Sequence, residues 1–567
     1  MDPRSRQSTR AATSAINPGR RSIVPSLVVG PVLRYVGETD ATIWVETDAE
    51  CEIEVLGHRA ITFRVAGHHY GIVIVHGLSP GGAHSYEVGL NGQRRWPEPG
   101  SRESVIRPLA PRAEFRLAFG SCRVSAPHEP PYALGCDQSG KGLGVDALDA
   151  LAVKLRRQSR ADWPDLLLML GDQVYADEVP PTVAEFIRRR RDVREPPGEQ
   201  VADFEEYTQL YRESWTDPQL RWLLSTLPTA MIFDDHDLHD DWNTSEAWVR
   251  QMRAEPWWQE RIVGAFMSYW IYQHLGNLSP RELAEDQLFR QVTNTPDGTD
   301  ALRAFALHAS HHTDGSRWSY ARALGSSRLV VIDSRAGRVL TGGRRSMLDE
   351  AEWQWLERQA TGDVDHLLLA TSLPLLLAPA LHHLEAWNEA VCAGAWGRRA
   401  APLGERMRQR LDLEHWAAFE ESFARLARTI REVASGARGT PPATIGVLSG
   451  DVHHSYLAQA WPSRGAEVSS LIYQAVCSPF RHPLEVSQQR LIKATLSRRA
   501  ITAARALART AHVPAPELHW RFSQPPSFDN SLATLTLAGR SARLTIEKTL
   551  SDWRNPSLAP VVERQFA

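Results

Sequence analysis

The segment MIFDDHDLHDDWN, residues 231–243, places five aspartates and two histidines directly after a short apolar run. The apolar residues Met231, Ile232 and Phe233 indicate a buried strand that leads into the polar cluster. Carboxylates that lie close to a protein interior lose solvation and repel one another, so they need a compensating cation. The segment therefore predicts a strand end that delivers carboxylate and imidazole groups to a cationic ligand.

Three further apolar runs end in polar clusters of the same kind. They are FGSCR with Cys122 and Arg123, GDQVYAD with Asp172 and Tyr175, and SGDVHHS with Asp451, His453 and His454. Taken singly, each cluster is compatible with an ordinary structural role, such as that of a buried thiol. Because neighbouring strand ends meet at one rim of a sheet, four such clusters together predict a single site. Thiolate, phenolate, carboxylate and imidazole match ferric iron, and a carboxylate shared by two ions would permit a two-metal centre.

The pattern of apolar runs predicts two kinds of structure along the 567 residues. Residues 27–110 consist of short β-rich runs separated by Gly, Pro and Asp, which predict a fibronectin- or immunoglobulin-like β-sandwich. From residue 111 to 567, buried strands alternate with helices, which predicts an α/β catalytic domain with insertions and a C-terminal helix plus hairpin. Residues 1–26 are rich in Arg and Ser and predict a disordered polar tail.

The overall composition indicates which broad class of protein the chain belongs to and which partners are not expected. A hydrophobic fraction of 43% and a charged fraction of 23% are typical of a globular protein. A net charge of -3 gives no reason to expect binding to nucleic acid or to an anionic membrane, and no apolar run is long enough to span a bilayer. The five cysteines form no CxxC pair, which favours a cytoplasmic location. The Arg20–Arg21 pair leaves export by a twin-arginine signal as the alternative.

In their order along the chain, GSC, GDQVYAD, DDHD and SGDVHHS resemble the motifs of the PhoD-like alkaline phosphatase family, within the calcineurin-type metallophosphoesterases. The resemblance runs from about Phe115 to Ser455 and includes VVIDSR and EWQWLERQ between the motifs. It implies an α/β fold with a four-layer metallophosphoesterase-like β-sheet core and flanking helices. It also implies a binuclear enzyme in which a metal-bound hydroxide attacks a phosphomonoester or phosphodiester in line.

The resemblance also implies the metal ligands. They are Cys122, Asp172, Tyr175 and His453 for Fe³⁺, and Asp172, Asp235 and Asp451 for a second divalent ion, for which Ca²⁺ is expected. Two departures leave the shell of the second ion open. Related sequences often place an asparagine ligand near residues 240–243, and many carry a histidine where Ser372 stands here.

Other residues would contact the substrate or the ligands. His236 would serve as general acid or as a phosphate contact. Arg123 would bind phosphate in bidentate fashion, or else form a salt bridge with a ligand carboxylate. The residues expected in the second shell or against the substrate are Asp234, Asp241, Asn243 and His454.

Three functions remain open at this point. The first is a phosphoric ester hydrolase, and the second is a nucleotide or nucleic-acid phosphodiesterase, which the near-neutral charge disfavours. The third is a non-catalytic metal-binding interaction protein. The choice between monoester and diester depends on the walls of the pocket, which residues 178–206, 336–345 and 378–414 are expected to form. The oligomeric state is also open.

Overall fold

The computed structural model describes residues 24–111, 114–463 and 467–566. Most of the predicted tail, and with it the Arg20–Arg21 pair, lies outside the described residues. Within the described residues, every helix is too short or too polar to cross a membrane. The predicted cytoplasmic location stays a prediction.

The first ten strands form three antiparallel sheets. The strands are β1 (Leu27–Val36), β2 (Asp40–Thr47), β3 (Glu52–Val55), β4 (His58–Ile61), β5 (Phe63–Val65), β6 (His68–His76), β7 (His84–Tyr86), β8 (Val88–Leu90), β9 (Gln93–Trp96) and β10 (Ser104–Ile106). Sheets β1-β2-β6-β5 and β4-β3-β8-β9 share one apolar core, to which Leu33, Ile43 and Ile53 contribute. The prediction of an all-β N-terminal region is confirmed.

The N-terminal sheets pack against the rest of the chain. Trp44 of β2 packs against Tyr272, with ring centroids 5.2 Å apart. The buried Arg34 of β1 donates a hydrogen bond from Nη2 to the carbonyl oxygen of Gln273 at 2.5 Å. A Cβ atom at Gly276 would lie 1.7 Å from Nε of Arg34, so only glycine leaves room for this guanidinium.

Two larger sheets follow, of six and seven strands, ordered β13-β12-β11-β21-β22-β23 and β14-β15-β16-β17-β19-β18-β20. Their strands are β11 (Phe115–Gly120), β12 (Leu166–Leu170), β13 (Thr229–Ile232), β14 (Tyr320–Leu324), β15 (Ser327–Ile332), β16 (His366–Thr371), β17 (Thr444–Ser449), β18 (Tyr456–Pro462), β19 (Leu471–Val476), β20 (Leu518–Phe522), β21 (Ser531–Ala538), β22 (Ser541–Thr549) and β23 (Leu558–Phe566). Strands β11, β12 and β13 are parallel, as are β15, β16, β17 and β19. Their carboxyl ends therefore gather at one edge of each sheet.

The described residues contain fifteen α-helices. They are α1 (Ala147–Arg157), α2 (Pro181–Arg190), α3 (Phe204–Trp215), α4 (Pro218–Thr226), α5 (Glu246–Ala254), α6 (Trp258–Ser268), α7 (Pro280–Glu285), α8 (Gln287–Thr293), α9 (Thr299–His311), α10 (Glu350–Gln359), α11 (Pro379–Cys392), α12 (Ala401–Arg410), α13 (Glu420–Ala434), α14 (Val486–Thr495) and α15 (Arg498–Thr510). Helix α13 begins at Glu420, and Glu414 and His415, which precede it, form the ion pairs described below.

Alternate residues of the parallel strands enter two different apolar clusters. Leu368 of β16 belongs to the cluster that also contains residues of the six-stranded sheet, whereas Leu367 and Leu369 belong to a second cluster. In the second cluster, Trp353 of α10 and Phe423 of α13 cover the opposite face of the seven-stranded sheet. Burial of both faces explains why these strands read as continuous apolar runs.

Candidate metal centre and cleft

The four polar clusters that follow strands β11, β12, β13 and β17 meet at one place. One ligand atom each from Cys122, Asp172 and His453 lies within 4.8 Å of the others. The same holds for Asp172, Asp234 and Asp235, so that Asp172 belongs to both groups. The sheets thus bring together side chains that lie more than three hundred residues apart in the chain.

The backbone at these strand ends adopts an unusual conformation. The φ angles are 58° at Cys122, 50° at Asp172, 65° at Asp451 and 50° at His453, all in the left-handed region. Side chains other than glycine rarely occupy this region, and each such residue costs about 1–3 kcal/mol. The cost is tolerated because each turn reverses the chain sharply after a strand and directs a polar side chain to the shared centre.

Cys122, Tyr175 and His453 form one side of the centre, which we call the thiol side. Oη of Tyr175 lies 3.4 Å from Oδ2 of Asp172, and both side chains are buried. Burial, reinforced by Asp172 and Asp451, raises the pKa of the Cys122 thiol well above its usual range. Burial and Asp172 likewise raise the pKa of the Tyr175 phenol, whereas burial lowers that of His453. A bound cation would be needed to stabilise thiolate and phenolate here.

Asp234, Asp235 and Asp451 form the other side, which we call the acidic side. Among the described residues, no donor reaches the buried Oδ1 of Asp172 or the buried Oδ2 of Asp234. Burial raises the pKa of both Asp172 and Asp234 well above the usual range, and neighbouring carboxylates add to the effect. Buried carboxylate oxygens that accept no hydrogen bond indicate a cation site. A bound cation compensates their negative charge, which would otherwise be buried without a partner at a high cost in desolvation.

Arg335, which follows β15, places its positively charged guanidinium against the acidic side. Its fully buried guanidinium is paired with Asp234 and lies 3.1 Å from Asp235, 2.5 Å from Glu414 and 3.4 Å from Asp451. Burial lowers the pKa of Arg335, but the four carboxylates raise it well above its usual range. No role was predicted for Arg335 of VVIDSR, although it follows a buried strand, which is the signal that located the other clusters.

Two histidines that the sequence analysis did not identify support the predicted ligands. His415 places Nε2 3.1 Å from Oδ2 of Asp451 and Nδ1 2.8 Å from Oε1 of the buried Glu385. Burial lowers the pKa of His415, but these two carboxylates raise it well above its usual range. His482 places Nδ1 3.2 Å from Nε2 of His453. His415 and His482 lie outside the four motifs, and no local pattern marks them.

His236 lies at the opening of the centre. Its Nδ1 is 2.9 Å from Oδ1 of Asp177, its Nε2 is 3.7 Å from Oδ1 of Asp240, and its ring centroid is 4.6 Å from that of Tyr175. Burial lowers the pKa of His236, but Asp177, followed by Asp235 and Asp172, raises it well above its usual range. Asp177, a residue of the GDQVYAD motif with no predicted role, therefore orients the imidazole and favours its protonated form.

Arg123 occupies a different place from the one predicted. Its Nε donates to Oδ2 of Asp146 at 2.8 Å and its Nη1 donates to the carbonyl oxygen of Ser214 at 3.2 Å. The side chain is buried and does not line the cleft, and Asp146 is not one of the predicted ligands. The left-handed turn at Cys122 directs neighbouring side chains to different sides, so the structure offers no phosphate contact at Arg123.

The remaining predicted residues surround the acidic side. The backbone N–H of Asp241 donates to Oδ2 of Asp235 at 3.0 Å, and Nδ2 of Asn243 donates to the carbonyl oxygen of Arg335 at 3.1 Å. Ser372 shares a hydrogen bond of 2.8 Å with Ser334. His454 contacts the carbonyl oxygen of Val452 through Nδ1 at 2.6 Å and lines the cleft.

The centre opens into a cleft of about 580 Å³. Asp172, Asp235, His236, Asp451 and His453 line this cleft. Apolar side chains from the start of α11, from the loop before Glu414 and from α14 line it as well.

Comparison with known proteins defines the class. The solved structure described as "Structure of PhoD" covers 97% of this chain and 91% of its own, with 13% sequence identity and a TM-score of 0.59. That similarity shows the fold, which is PhoD-like, with mixed helices and sheets behind an N-terminal region of antiparallel sheets. A crystal structure of amylomaltase from Corynebacterium glutamicum aligns with a TM-score of only 0.10. No curated protein matches the sequence.

The sequence itself identifies the family. Residues 24–108 match a domain of unknown function, DUF7800, and residues 149–509 match the PhoD-like phosphatase family. The second match spans more than half of the 567 residues, so the chain belongs to the PhoD-like phosphatase family and is a phosphatase with a phosphate ester as substrate. The resemblance inferred from the four motifs is confirmed.

Proposed function

We propose that the protein is a binuclear metal-dependent hydrolase of phosphoric esters. The observation that carries the proposal is the position of Asp172, which belongs to two of the three groups of converging ligand atoms, the third being that of Asp235, His236 and Asp240. A carboxylate in that position can bridge two ions, which is the arrangement that two-metal hydrolases use.

The two sides of Asp172 favour different ions. Cys122, Tyr175 and His453 on the thiol side, together with Asp172, provide the mixture of thiolate, phenolate, imidazole and carboxylate that suits Fe³⁺. Asp235 and Asp451 on the acidic side, again with Asp172, provide only oxygen ligands, which suit Ca²⁺. The orphaned oxygens of Asp172 and Asp234 support the same assignment.

Side chains of the protein would donate the proton to the leaving group and orient the metal ligands. The ions would supply Lewis acidity to the phosphoryl oxygens and a nucleophile derived from water. His236 holds a proton at the mouth of the cleft, oriented by Asp177, and would give it to the departing alcohol oxygen as general acid. Glu385 and His415 would fix the orientation of Asp451.

We also infer that the two large sheets are the metallophosphoesterase-like core predicted from the sequence. The sheets pack face to face through one apolar cluster, with α10 and α13 on the outer face of the seven-stranded sheet. Helix α1 contributes Leu148 and Leu151 to the cluster that contains the six-stranded sheet. This arrangement supports a catalytic domain over residues 111–567 behind an N-terminal β-sandwich over residues 27–110.

Elemental analysis and paired ester assays test the proposal. The purified full chain is expected to contain iron and calcium, to show visible absorption from phenolate bound to iron, and to hydrolyse p-nitrophenyl phosphate or bis(p-nitrophenyl) phosphate. Chelation should remove both the ions and the activity, and iron and calcium together should restore them. Undiminished hydrolysis by a colourless, metal-free protein would contradict the proposal.

A further inference from the structure

Asp237, the last aspartate of the DDHD motif, cross-links the two loops that carry most of the predicted ligands. Its Oδ2 accepts a hydrogen bond from the backbone N–H of Asp234 at 2.9 Å, and its Oδ1 accepts one from that of Val174 at 3.3 Å. The carboxylate is buried, does not line the cleft and belongs to none of the groups of converging ligand atoms found in the described residues. It therefore joins the loop of Asp172 to the loop of Asp235 from outside the cleft.

Gln273 donates a hydrogen bond to this carboxylate. Its Nε2 lies 3.1 Å from Oδ1 of Asp237 and 2.8 Å from Oη of Tyr211, and the side chain is fully buried. Gln273 ends a π-helical turn, Tyr269–Gln273, that follows α6. Turns of this kind are rare and frequently occur at functional sites. The π-helical turn thus places its last side chain against the residue that joins the two loops.

The N-terminal β region contacts the π-helical turn at two points. Arg34 of β1 donates from Nη2 to the carbonyl oxygen of Gln273. Oη of Tyr272 donates to Oε2 of the buried Glu46 of β2 at 2.7 Å. A chain of hydrogen bonds therefore runs from the domain of unknown function, residues 24–108, to the loops of the metal centre.

Arg34 buries a charge without a counter-ion. Its guanidinium forms no ion pair in the described part of the chain, and its hydrogen-bond partners there are the carbonyl oxygen of Gln273 and the sulfur of Met231. Burial, together with the neighbouring Arg322, lowers the pKa of Arg34 to about 9. An apolar side chain would fill this space without the cost of desolvating a charge. The contact with Gln273 gives a reason for an arginine at this position.

We propose that the N-terminal β region positions the metal centre through Arg34, Gln273 and Asp237, which are positioning residues for the binding of both ions. The inference rests on the proposed function, because it takes Asp172 and Asp235 as ligands. The two loops need such support, because their carboxylates repel one another when no ion is bound. A metal site also has to hold its ligands within about 0.5 Å of the productive geometry. The domain of unknown function would thus contribute to metal affinity although none of its described residues lines the cleft.

Gln273→Met tests the central link, because methionine keeps the length of the side chain and removes the amide. We expect the affinities for calcium and iron both to fall about 10- to 100-fold, the range for groups that orient metal ligands. Calorimetric titration of the metal-free full chain measures calcium, and competition with nitrilotriacetate, followed by visible absorption, measures iron. Gln474→Met is the matched control and should leave both affinities unchanged. Gln474 is equally buried and also donates to a tyrosine, Tyr456, but its amide does not contact Asp237.

Arg34→Met tests whether the N-terminal β region takes part. It should weaken the binding of both ions as Gln273→Met does. The double variant should lose less than the product of the two single losses, because both residues act on Asp237 along one path. Thr62→Val is the control within the N-terminal region and should bind both ions as the unaltered protein does. It removes the buried acceptor of the Cys51 N–H, which is no part of the path.

Hydrogen exchange in the metal-free protein gives a readout that depends on neither ions nor turnover. Peptides that span residues 172–177 and 233–238 report the amides of Val174 and Asp234, which donate to Asp237. These amides should be protected in the unaltered protein. They should exchange about three- to tenfold faster in the Gln273→Met variant, the effect of about one hydrogen bond. Peptides of β17 should exchange equally in both proteins.

The outcomes separate this inference from the proposed function. Unchanged ion affinities in the Gln273 and Arg34 variants would overturn the inference and leave the proposed function intact. Unprotected loop amides in the metal-free unaltered protein would do the same, and that measurement decides even where a substitution prevents folding. Equal weakening by the two control variants would also overturn the inference, because the effect would then be general destabilisation. An unaltered protein that binds neither iron nor calcium would overturn the proposed function and the inference with it.

Discussion

The thiol side and the acidic side of Asp172 differ in how their charge is compensated. On the thiol side, Cys122, Tyr175 and His453 lie close to one another, and no arginine or lysine is among the described groups that shift their pKa values. On the acidic side, Arg335 already pairs with Asp234, Asp235 and Asp451. The thiol side thus depends on a bound ion for its charge balance. On the acidic side, the guanidinium of Arg335 already compensates part of the negative charge.

This difference predicts that the two sides respond differently when their ions are removed. The acidic side should keep its geometry without an ion, because Arg335 holds the carboxylates together. The thiol side should bind iron more strongly as the pH rises, because the Cys122 thiol and the Tyr175 phenol, whose pKa values burial raises, must lose their protons to bind the ion. Four substitutions test this difference between the thiol side and the acidic side.

Asp172→Asn should have the largest effect, because Asp172 serves both sides. The variant should lose both iron and calcium, and turnover should fall to the uncatalysed rate. Elemental analysis and a diester assay measure the two losses. Asp149→Asn, which alters a buried aspartate that does not line the cleft, is the matched control and should retain both ions. Loss of one ion only would show that Asp172 does not bridge.

His236→Asn should lower kcat by about 10²- to 10⁴-fold, the range expected for loss of a general acid. Because His236 is proposed as a proton donor and not as a ligand, the iron and calcium contents should remain those of the unaltered enzyme. Steady-state kinetics and elemental analysis on the same preparation measure both quantities. If either ion is lost, His236 belongs to one of the two sides as a ligand.

Arg335→Met should destabilise the metal-free protein by about 3–5 kcal/mol, since it leaves buried carboxylates without their cation. Urea unfolding measures the change, and added calcium should recover part of it. Arg425→Met is the control, because Arg425 forms partly exposed ion pairs with Glu350 and Glu357 that contribute at most about 1 kcal/mol. Equal destabilisation by the two changes would refute the role of Arg335.

His415→Asn should have the smallest effect, a weakening of calcium affinity by about 10- to 100-fold. The change removes the contact between His415 and Asp451, which fixes the orientation of a proposed ligand. Calcium titration followed by calorimetry measures the affinity, and the iron content serves as the internal control. A matching loss of iron would show that the two sides are not independent.

The sequence was sufficient for the parts of the site that follow buried strands. Cys122, Asp172 and Asp235 lie two or three residues beyond strands of the six-stranded sheet, and Asp451 lies two residues beyond β17 of the seven-stranded sheet. The sequence predicted one rim of one sheet, whereas the carboxyl ends of strands from two sheets meet at the site. The all-β character of the N-terminal region also followed from local patterns, because alternate burial shows directly in the residues.

Other parts of the site depend on tertiary packing that no local pattern encodes. His415 lies in the connection between β16 and β17 and reaches Asp451 only through the packing of that insertion. Arg123 was expected to bind phosphate because a guanidinium binds phosphate in bidentate fashion, or else to pair with a ligand carboxylate, but its guanidinium contacts Asp146 and Ser214, which are distant in sequence. Arg335 follows a buried strand as the predicted ligands do, but only the structure shows that its guanidinium reaches Asp234, Asp235 and Asp451.

The left-handed backbone at Cys122, Asp172, Asp451 and His453 has a consequence for engineering this enzyme. In the metal-free protein, glycine at Cys122, Asp172 or His453 would relieve the strain and, at Asp172, remove a repelling charge, so each such variant should unfold at a higher temperature than the metal-free parent while it is inactive. Glycine at Asp451 would instead remove a carboxylate that pairs with Arg335 and His415. Selection for heat tolerance of the metal-free protein would therefore enrich inactive enzymes. Thermostable and active variants should instead be sought on surfaces remote from these turns.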